Sequence, residues 1–316
     1  MPIDPIRRIL FVRTDRIGDT LLNLPAIRLV RQAHPKAWVT LLADPSLADL
    51  LGEHPDIDEF MPDGKDVYAR VRQARFDLVL VSNPSKRFHW LVFRARIPVR
   101  AGVGRKWGFL LNRRLSAADH DSGHEIERNL RLAGLAAGGE WDRRVTLPVK
   151  PLAARRVERL LAQDGLTGRL IAVHAGTSNP RKRWGIDRFR ELCALIRTDL
   201  GLPVVLIGGP EEKDISQKLH TAGVAADWTG DLTLSELAAF FAGGRCAALV
   251  SCDSGPVHVA WMSGTPCAAL YAAGVEGCDP ARWGPLDGKS VTIHEEMDRI
   301  TPARVLEAVR TIVKAA

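Results

Sequence analysis

Asp19 is the acidic residue best placed in this chain to move a proton. It closes the segment Arg13-Thr14-Asp15-Arg16-Ile17-Gly18-Asp19, directly after the apolar run Ile9-Leu10-Phe11-Val12. Gly18 permits a tight turn or the close approach of a second molecule. An aspartate opening the next helix has two readings. It can cap the helix by accepting from free N–H groups, or it can act as a general base toward a hydroxyl. The spacing is not Gly-x-Gly-x-x-Gly, so a dinucleotide cofactor gains no support.

Three later segments carry anion chemistry. In His174-Ala175-Gly176-Thr177-Ser178-Asn179-Pro180-Arg181-Lys182-Arg183-Trp184, Thr177 and Ser178 offer hydroxyl and backbone donors. Lys182 offers a point charge able to reach a diphosphate; the alternative is a solvated basic loop. In Ile207-Gly208-Gly209-Pro210-Glu211-Glu212 a carboxylate can accept from ribose hydroxyls, or the two glutamates simply favour the start of a helix. Ser251-Cys252-Asp253-Ser254-Gly255-Pro256-Val257-His258 is the most informative. Ser254 and Gly255 would present N–H groups at a helix N-terminus, a ready anion site, and Pro256 suits the first turn. His258, one turn on, either faces the same anion or is a buried histidine. No further His or carboxylate stands at metal-ligand spacing, so no metal site is expected.

The elements that must position these segments alternate. Apolar runs at 9–12, 38–42 and 78–81 read as strands, with helical spacing at 21–30, 67–74 and 125–135. Residues 136–151 contain Gly138, Gly139, Pro148 and Pro151, which break regular structure, and the domain boundary is placed there. A second series follows, with strands at 170–173, 204–207, 247–250 and 267–271. Helices fall at 155–161, 187–197, 212–219, 235–241, 257–262 and 305–313. Short continuous apolar runs between helices are the signature of parallel sheets covered on both faces. Two doubly wound domains, 1–145 and 146–316, are expected around a cleft, with the closing helix packing back toward the first.

The 316 residues carry a formal net charge of +7, which favours acidic partners. From 78 to 118 there is no Asp or Glu, while Lys86, Arg87, Arg94, Arg96, Arg100, Arg105, Lys106, Arg113 and Arg114 are interleaved with Phe88, Trp90, Phe93, Trp107 and Phe109. This segment reads as a surface for an acidic acceptor or a membrane face, or as a solvated basic face. No nucleic-acid motif is visible, and nucleic acid is not expected as a partner. The five cysteines lack a CxxC pair, which argues against a disulfide framework or a cysteine zinc site. With no apolar run of ~18 residues and no signal stretch, a cytoplasmic protein is expected.

Taken in order, these segments resemble glycosyltransferase family 9, the ADP-heptose:lipopolysaccharide heptosyltransferases, over nearly the whole chain. The resemblance rests on RTDRIGDTLLNLPAIR, HEIERNLRLAGL, HAGTSNPRKRW, IGGPEE, WTGDLTLSELA, SCDSGPVHVAWMSGTP, ARWGP and MDRITPARVLEAV. It implies a GT-B fold of two Rossmann-like domains and a metal-independent, inverting transferase without cofactor. The N-terminal domain would bind an anionic lipid-linked core acceptor and the C-terminal domain ADP-heptose, with peripheral contact at the inner leaflet. Asp19 matches the family's base. Thr177, Ser178 and Lys182 match positions facing the diphosphate. Glu212 matches the ribose-binding acid, with Glu211 adjacent in register, and Leu232 a backbone site near adenine. Asp253, Ser254, Gly255 and His258 match the donor-sugar and phosphate loop. Arg87, Arg105 and Lys106 are the basic residues assigned to the acceptor. Asp15 and Arg16 stand where family members often carry small residues. Competing readings are another nucleotide sugar, a protein acceptor, or a catalytically silent nucleotide-sugar scaffold.

Overall fold

The structure, a computed structural model, describes residues 6–219 and 223–315. The chain divides into two compact units, Met1–Val145 and Thr146–Ala316. The first holds strands β1 (Arg8–Val12), β2 (Trp38–Ala43), β3 (Glu59–Pro62), β4 (Leu78–Val81), β5 (Val99–Val103) and β6 (Arg113–Leu115). They pair in the order β3-β2-β1-β4-β5-β6, all parallel. The second holds β7 (Leu170–His174), β8 (Val204–Leu206), β9 (Ala226–Asp227), β10 (Cys246–Cys252), β11 (Cys267–Ala272) and β12 (Val291–Glu295). Their order, β12-β11-β10-β7-β8-β9, is again all parallel. Counted from its own first strand, the second sheet repeats the 3-2-1-4-5-6 order of the first, which is the Rossmann order.

The central strands explain the sequence pattern. All of β4, β7, β10 and β11 is buried, as is β1 beyond its first residue. Helices cover both faces of such strands, so no position is free to be polar. The strands toward the sheet edges, β3, β5, β6, β9 and β12, are ones the apolar runs did not reveal. Among them β3, β6 and β12 alternate or are half-exposed.

In each sheet the order reverses beside its first strand. Ile9 pairs with Leu78 across β1 and β4, and His174 pairs with Ser251 across β7 and β10. Loops leaving the carboxyl ends at this switch point gather ligands in open α/β sheets. Here they are the Arg13–Asp19 segment in the first unit, and the His174 and Asp253 segments in the second.

The helical pattern expected over 21–30 is divided. A short helix, Ile17–Leu21, ends before a second, Leu24–Ala33, which carries Pro25 in its first turn. Residues 137–150 form neither helix nor strand. The closing helix, Pro302–Ala315, lays Val305, Leu306, Val309 and Ile312 into the core of its own unit, with Ile171, Leu206 and Leu270. All five cysteines are free and buried. Burial pushes the thiols of Cys193, Cys246 and Cys252 up to about 12, so they are poor nucleophiles. Among the described residues no helix is long and apolar enough to cross a membrane.

Candidate functional site

In the first unit Asp19 does not cap its helix. Arg16 is the N-cap, and Asp19 lies inside the first turn. Its Oδ1 accepts from Arg13 Nη2 at 2.8 Å. The same guanidinium, 4% exposed, donates Nε–H to Asp15 at 2.7 Å and Nη1–H to Glu125 at 3.1 Å. Glu125 is buried and stands in the first turn of the helix Glu125–Ala133. Asn23 donates to the Asp19 carbonyl at 2.9 Å, and Thr20 Oγ1 to that of Arg16 at 3.2 Å, fixing the turn.

One cation therefore faces three carboxylates. Burial is the largest influence on Asp19 and disfavours its charge. Arg13 opposes this, while Asp15 and Glu125 add to it, and the Asp19 pKa is pushed up to about 6. Burial works against Arg13 as well, but its carboxylates prevail and hold it firmly charged. The result is a carboxylate held by a fixed donor and close enough to neutrality in pKa to exchange protons. Sequence reading found Asp19 but neither Arg13 nor Glu125.

In the second unit three segments distant in sequence meet at one histidine. His174, the last residue of β7, is 4% exposed. Its Nε2 lies 3.0 Å from Glu212 Oε2, and its Nδ1 lies 2.9 Å from Ser251 Oγ and 3.2 Å from Ser254 Oγ. Glu212 also accepts from the Gly209 N–H at 2.9 Å. Burial works to raise the Glu212 pKa; His174 and the Gly209 N–H outweigh it and hold the carboxyl below its ordinary value. Gly176 and Gly208 make this possible. A Cβ at Gly176 would sit 1.5 Å from Glu212 Oε1, and one at Gly208 2.5 Å from Oε2. Glu212 is thus the engaged carboxylate, whereas Glu211 is exposed. A small recess beside it is lined by Gly176, Ile207, Glu212 and Thr229. The Thr229 hydroxyl is buried there without a partner among the described residues.

Lys182 is not part of a solvated loop. It is 4% exposed, and its Nζ donates to Asp253 Oδ2 at 2.5 Å and to the Gly277 carbonyl at 3.2 Å. Asn179 caps the turn that carries it, and buried Trp184 anchors the far side through Nε1–H to the Ile300 carbonyl at 2.8 Å. An ammonium has three donors, so one remains for an anionic oxygen. Ser254 is the N-cap of the helix Gly255–Met262 and makes no side-chain cap bond, its hydroxyl being turned to His174 and Ser251. First-turn N–H groups lack intrahelical acceptors and carry the positive end of the helix dipole. His258 is buried in that helix, where its Nδ1 accepts from Trp261 at 3.4 Å. Thr177 is half-buried and accepts from the Asn179 N–H; Ser178 is exposed, and Leu232 is half-buried ahead of the helix Leu234–Ala242.

The basic segment is less one-sided than its sequence. Arg87 makes paired bonds of 2.6 and 2.7 Å to Asp63, and Arg105 pairs with Asp121. Both acids lie outside 78–118. Of the three residues assigned to the acceptor, Lys106 has no carboxylate partner among the described residues.

The family model of glycosyltransferase family 9 (heptosyltransferase) matches residues 66–305. The chain belongs to that family. It is 22% identical to lipopolysaccharide heptosyltransferase 2 of Salmonella typhimurium, over 97% of this chain and 98% of the relative. Among solved structures, a family 9 glycosyl transferase of Veillonella parvula superposes with TM-score 0.87 at 22% identity, covering 100% of this chain and 99% of that one. An E. coli heptosyltransferase with ADP gives 0.76 at 21% identity, over 96% and 99%. The two Rossmann-like units are accordingly those of a GT-B glycosyltransferase.

The Lys182–Asp253 pair yields a test. Removing one partner of a buried pair strands the other charge and costs about 3–5 kcal/mol. Lys182→Met should lower the unfolding free energy by about that much, and Lys182→Met with Asp253→Asn should recover most of it. Denaturant titration reads both, and a Lys182→Met protein as stable as the parent would dismiss the pair as a structural element.

Proposed function

We propose that this glycosyltransferase moves a heptose from ADP-heptose to an anionic, lipid-linked core acceptor of lipopolysaccharide, with inversion and without a metal. The observation that carries the reading is the Arg13-held Asp19 carboxylate at the switch point of the first sheet, with its pKa near 6. Asp19 takes the proton of the acceptor hydroxyl as its oxygen bonds to the anomeric carbon. The bond from that carbon to the diphosphate breaks on the opposite face, and ADP leaves. Negative charge grows on the leaving oxygens, where Lys182 and the N–H groups at Ser254 and Gly255 stabilise it. Those groups supply positive charge that other transferases draw from a metal ion, which supports the metal-independent reading.

Glu212 receives ribose hydroxyls, since two of its lone-pair sites are taken by His174 and Gly209 and two remain. Thr177, Ser178 and Asp253 complete the diphosphate and sugar contacts, with Leu232 toward the base and His258 packed behind the anion loop. The ADP in the E. coli relative supports an adenine nucleotide donor. Work on the cytoplasmic side of the inner membrane follows from that donor and from a lipid-linked acceptor.

Two outcomes test this. ADP should raise the thermal midpoint selectively over UDP and GDP, with or without magnesium, because a ligand of the native state stabilises it by mass action. A selective response to UDP or GDP would sink the donor assignment. Second, Asp19→Asn should cut transfer about 10²–10⁴-fold. In the parent the base must be ionised, so kcat/KM should fall about tenfold per pH unit below pH ~6. The folded pKa lies above its ordinary value of 3.8. Stability from this group is therefore present below pH ~4 and lost as pH rises through ~6. Asp19→Asn should consequently melt higher than the parent at pH 8, and an inactive variant that melts lower would assign Asp19 to the fold instead.

A further inference from the structure

The basic, aromatic segment of the first unit forms an exposed cluster in which Lys86, Trp90, Phe93, Arg94 and Trp107 have no assigned part in the transfer reaction. The helix Lys86–Arg94 buries Phe88, His89, Leu91 and Val92. Its opposite face, at helical spacing, presents Lys86, Trp90, Phe93 and Arg94 to solvent. Trp90 is 47% exposed, Phe93 43%, Trp107 45% and Phe109 71%. The rings associate with each other instead of turning inward: Trp90 and Trp107 meet edge-on at 6.4 Å, and Trp90 and Phe93 stack at 6.3 Å. Cations lie over them, Lys86 on Trp107 at 5.8 Å and Arg94 on Trp90 at 5.6 Å. Among the described residues Lys86, Arg94, Arg96 and Lys106 have no carboxylate within ion-pair distance, while Arg87 and Arg105 are held by Asp63 and Asp121.

The loop that presents Trp107 is held in an unfavourable conformation. Lys106 and Trp107 are consecutive left-handed residues, with φ of 45° and 70°. Such strain persists only where the surroundings impose it. The buried His89 does so, its Nδ1 lying 2.9 Å from the Lys106 carbonyl. An indole is thus kept in solvent by a buried side chain one helical turn from Lys86. Exposed apolar clusters ringed by charge mark interaction surfaces.

We infer that this cluster docks the protein on an anionic lipid surface. Indole and phenyl rings partition to the headgroup layer, where lysine and arginine beside them meet lipid phosphates. A neutral apolar partner would leave four cations unpaired, and a purely acidic one would leave four rings in water; a bilayer with acidic headgroups satisfies both. The inference stands apart from the sugar transferred, and agrees with the proposed lipid-linked acceptor by bringing the first unit to the surface that carries it.

Cosedimentation with vesicles tests it. The full chain should sediment with phosphatidylcholine vesicles containing phosphatidylglycerol, weaken at raised salt, and stay in solution with phosphatidylcholine alone. Lys86→Gln with Arg94→Gln should lower partition by roughly 25-fold, about fivefold for each charge. Trp90→Ser with Trp107→Ser should lower it by at least about tenfold, since anchoring weakens steeply with lost apolar burial. Both variants should keep the parent's thermal midpoint and its response to ADP, so that lost binding is not lost folding. Inorganic phosphate should displace the parent from vesicles no more than sodium chloride of equal ionic strength; a clearly greater displacement would mean that the cluster reads an isolated phosphate, overturning the lipid surface. No partition by the parent, equal partition onto phosphatidylcholine alone, or unchanged partition of both variants would overturn it too. Transfer to a delipidated core oligosaccharide should be the same in parent and variants. Loss of that reaction in the parent would fall on the proposed function and leave the docking surface standing.

Discussion

A single buried guanidinium organises the first unit's chemistry. Arg13 is sequestered from water with Asp15, Asp19 and Glu125 against it, and one positive charge cannot neutralise three negative ones. Burial is the largest influence raising the affinity of Asp19 for a proton; Asp15 and Glu125 add to it and Arg13 opposes it. Two consequences follow. Asp19 is fixed in direction by a strong hydrogen bond, and its basicity is raised toward the value a proton acceptor needs near neutral pH. Without Glu125 Asp19 would lose one of the influences that raise it, burial and Asp15 remaining; without Arg13 the carboxylates would have no common anchor.

On the proposed reading, the second unit gathers groups for an anion. Its three segments are spread from His174 to His258, yet the sheet order sets β7 beside β10. That adjacency brings the ends of both strands together. His174 then ties Glu212 to Ser251 and Ser254, and Lys182 ties its loop to Asp253. The two glycines that stand nearest Glu212 serve by having no Cβ, which gives the carboxylate its place. In the proposed reaction positive charge would come from one buried lysine, held by Asp253 and Gly277, and from a helix N-terminus, so that little reorganisation would be needed as charge develops.

The central strands and most helices were legible because burial on both faces leaves one reading of runs such as Leu78–Val81 and Leu170–His174. The outer strands were not, because Val99–Val103 contains Arg100 and Val291–Glu295 alternates, and only their neighbours in the sheet make them strands. Asp19, Lys182, Glu212 and the Asp253–Gly255 turn announced themselves through residue type after a strand. Arg13 and Glu125 did not, since they meet across 112 positions of sequence, and His174 opened its segment with no role assigned to it. The same limit applies to charge. The run from 78 to 118 looks uniformly basic until Asp63 and Asp121 arrive from outside it to hold Arg87 and Arg105. Asp19 read as a helix cap or a base; its place within the first turn, behind Arg16, decides against the cap.

The most direct test is the protonation of Asp19 itself. The carboxyl carbon of Asp19 can be followed by nuclear magnetic resonance in protein labelled with ¹³C-aspartate, with Asp19→Asn assigning the signal. The midpoint should lie at about 6 and move down in Glu125→Gln, where one neighbouring negative charge is gone. A midpoint near or below ~4, the ordinary aspartate range, and indifferent to Glu125, would contradict the claim that the buried Arg13 cluster tunes this residue as a base.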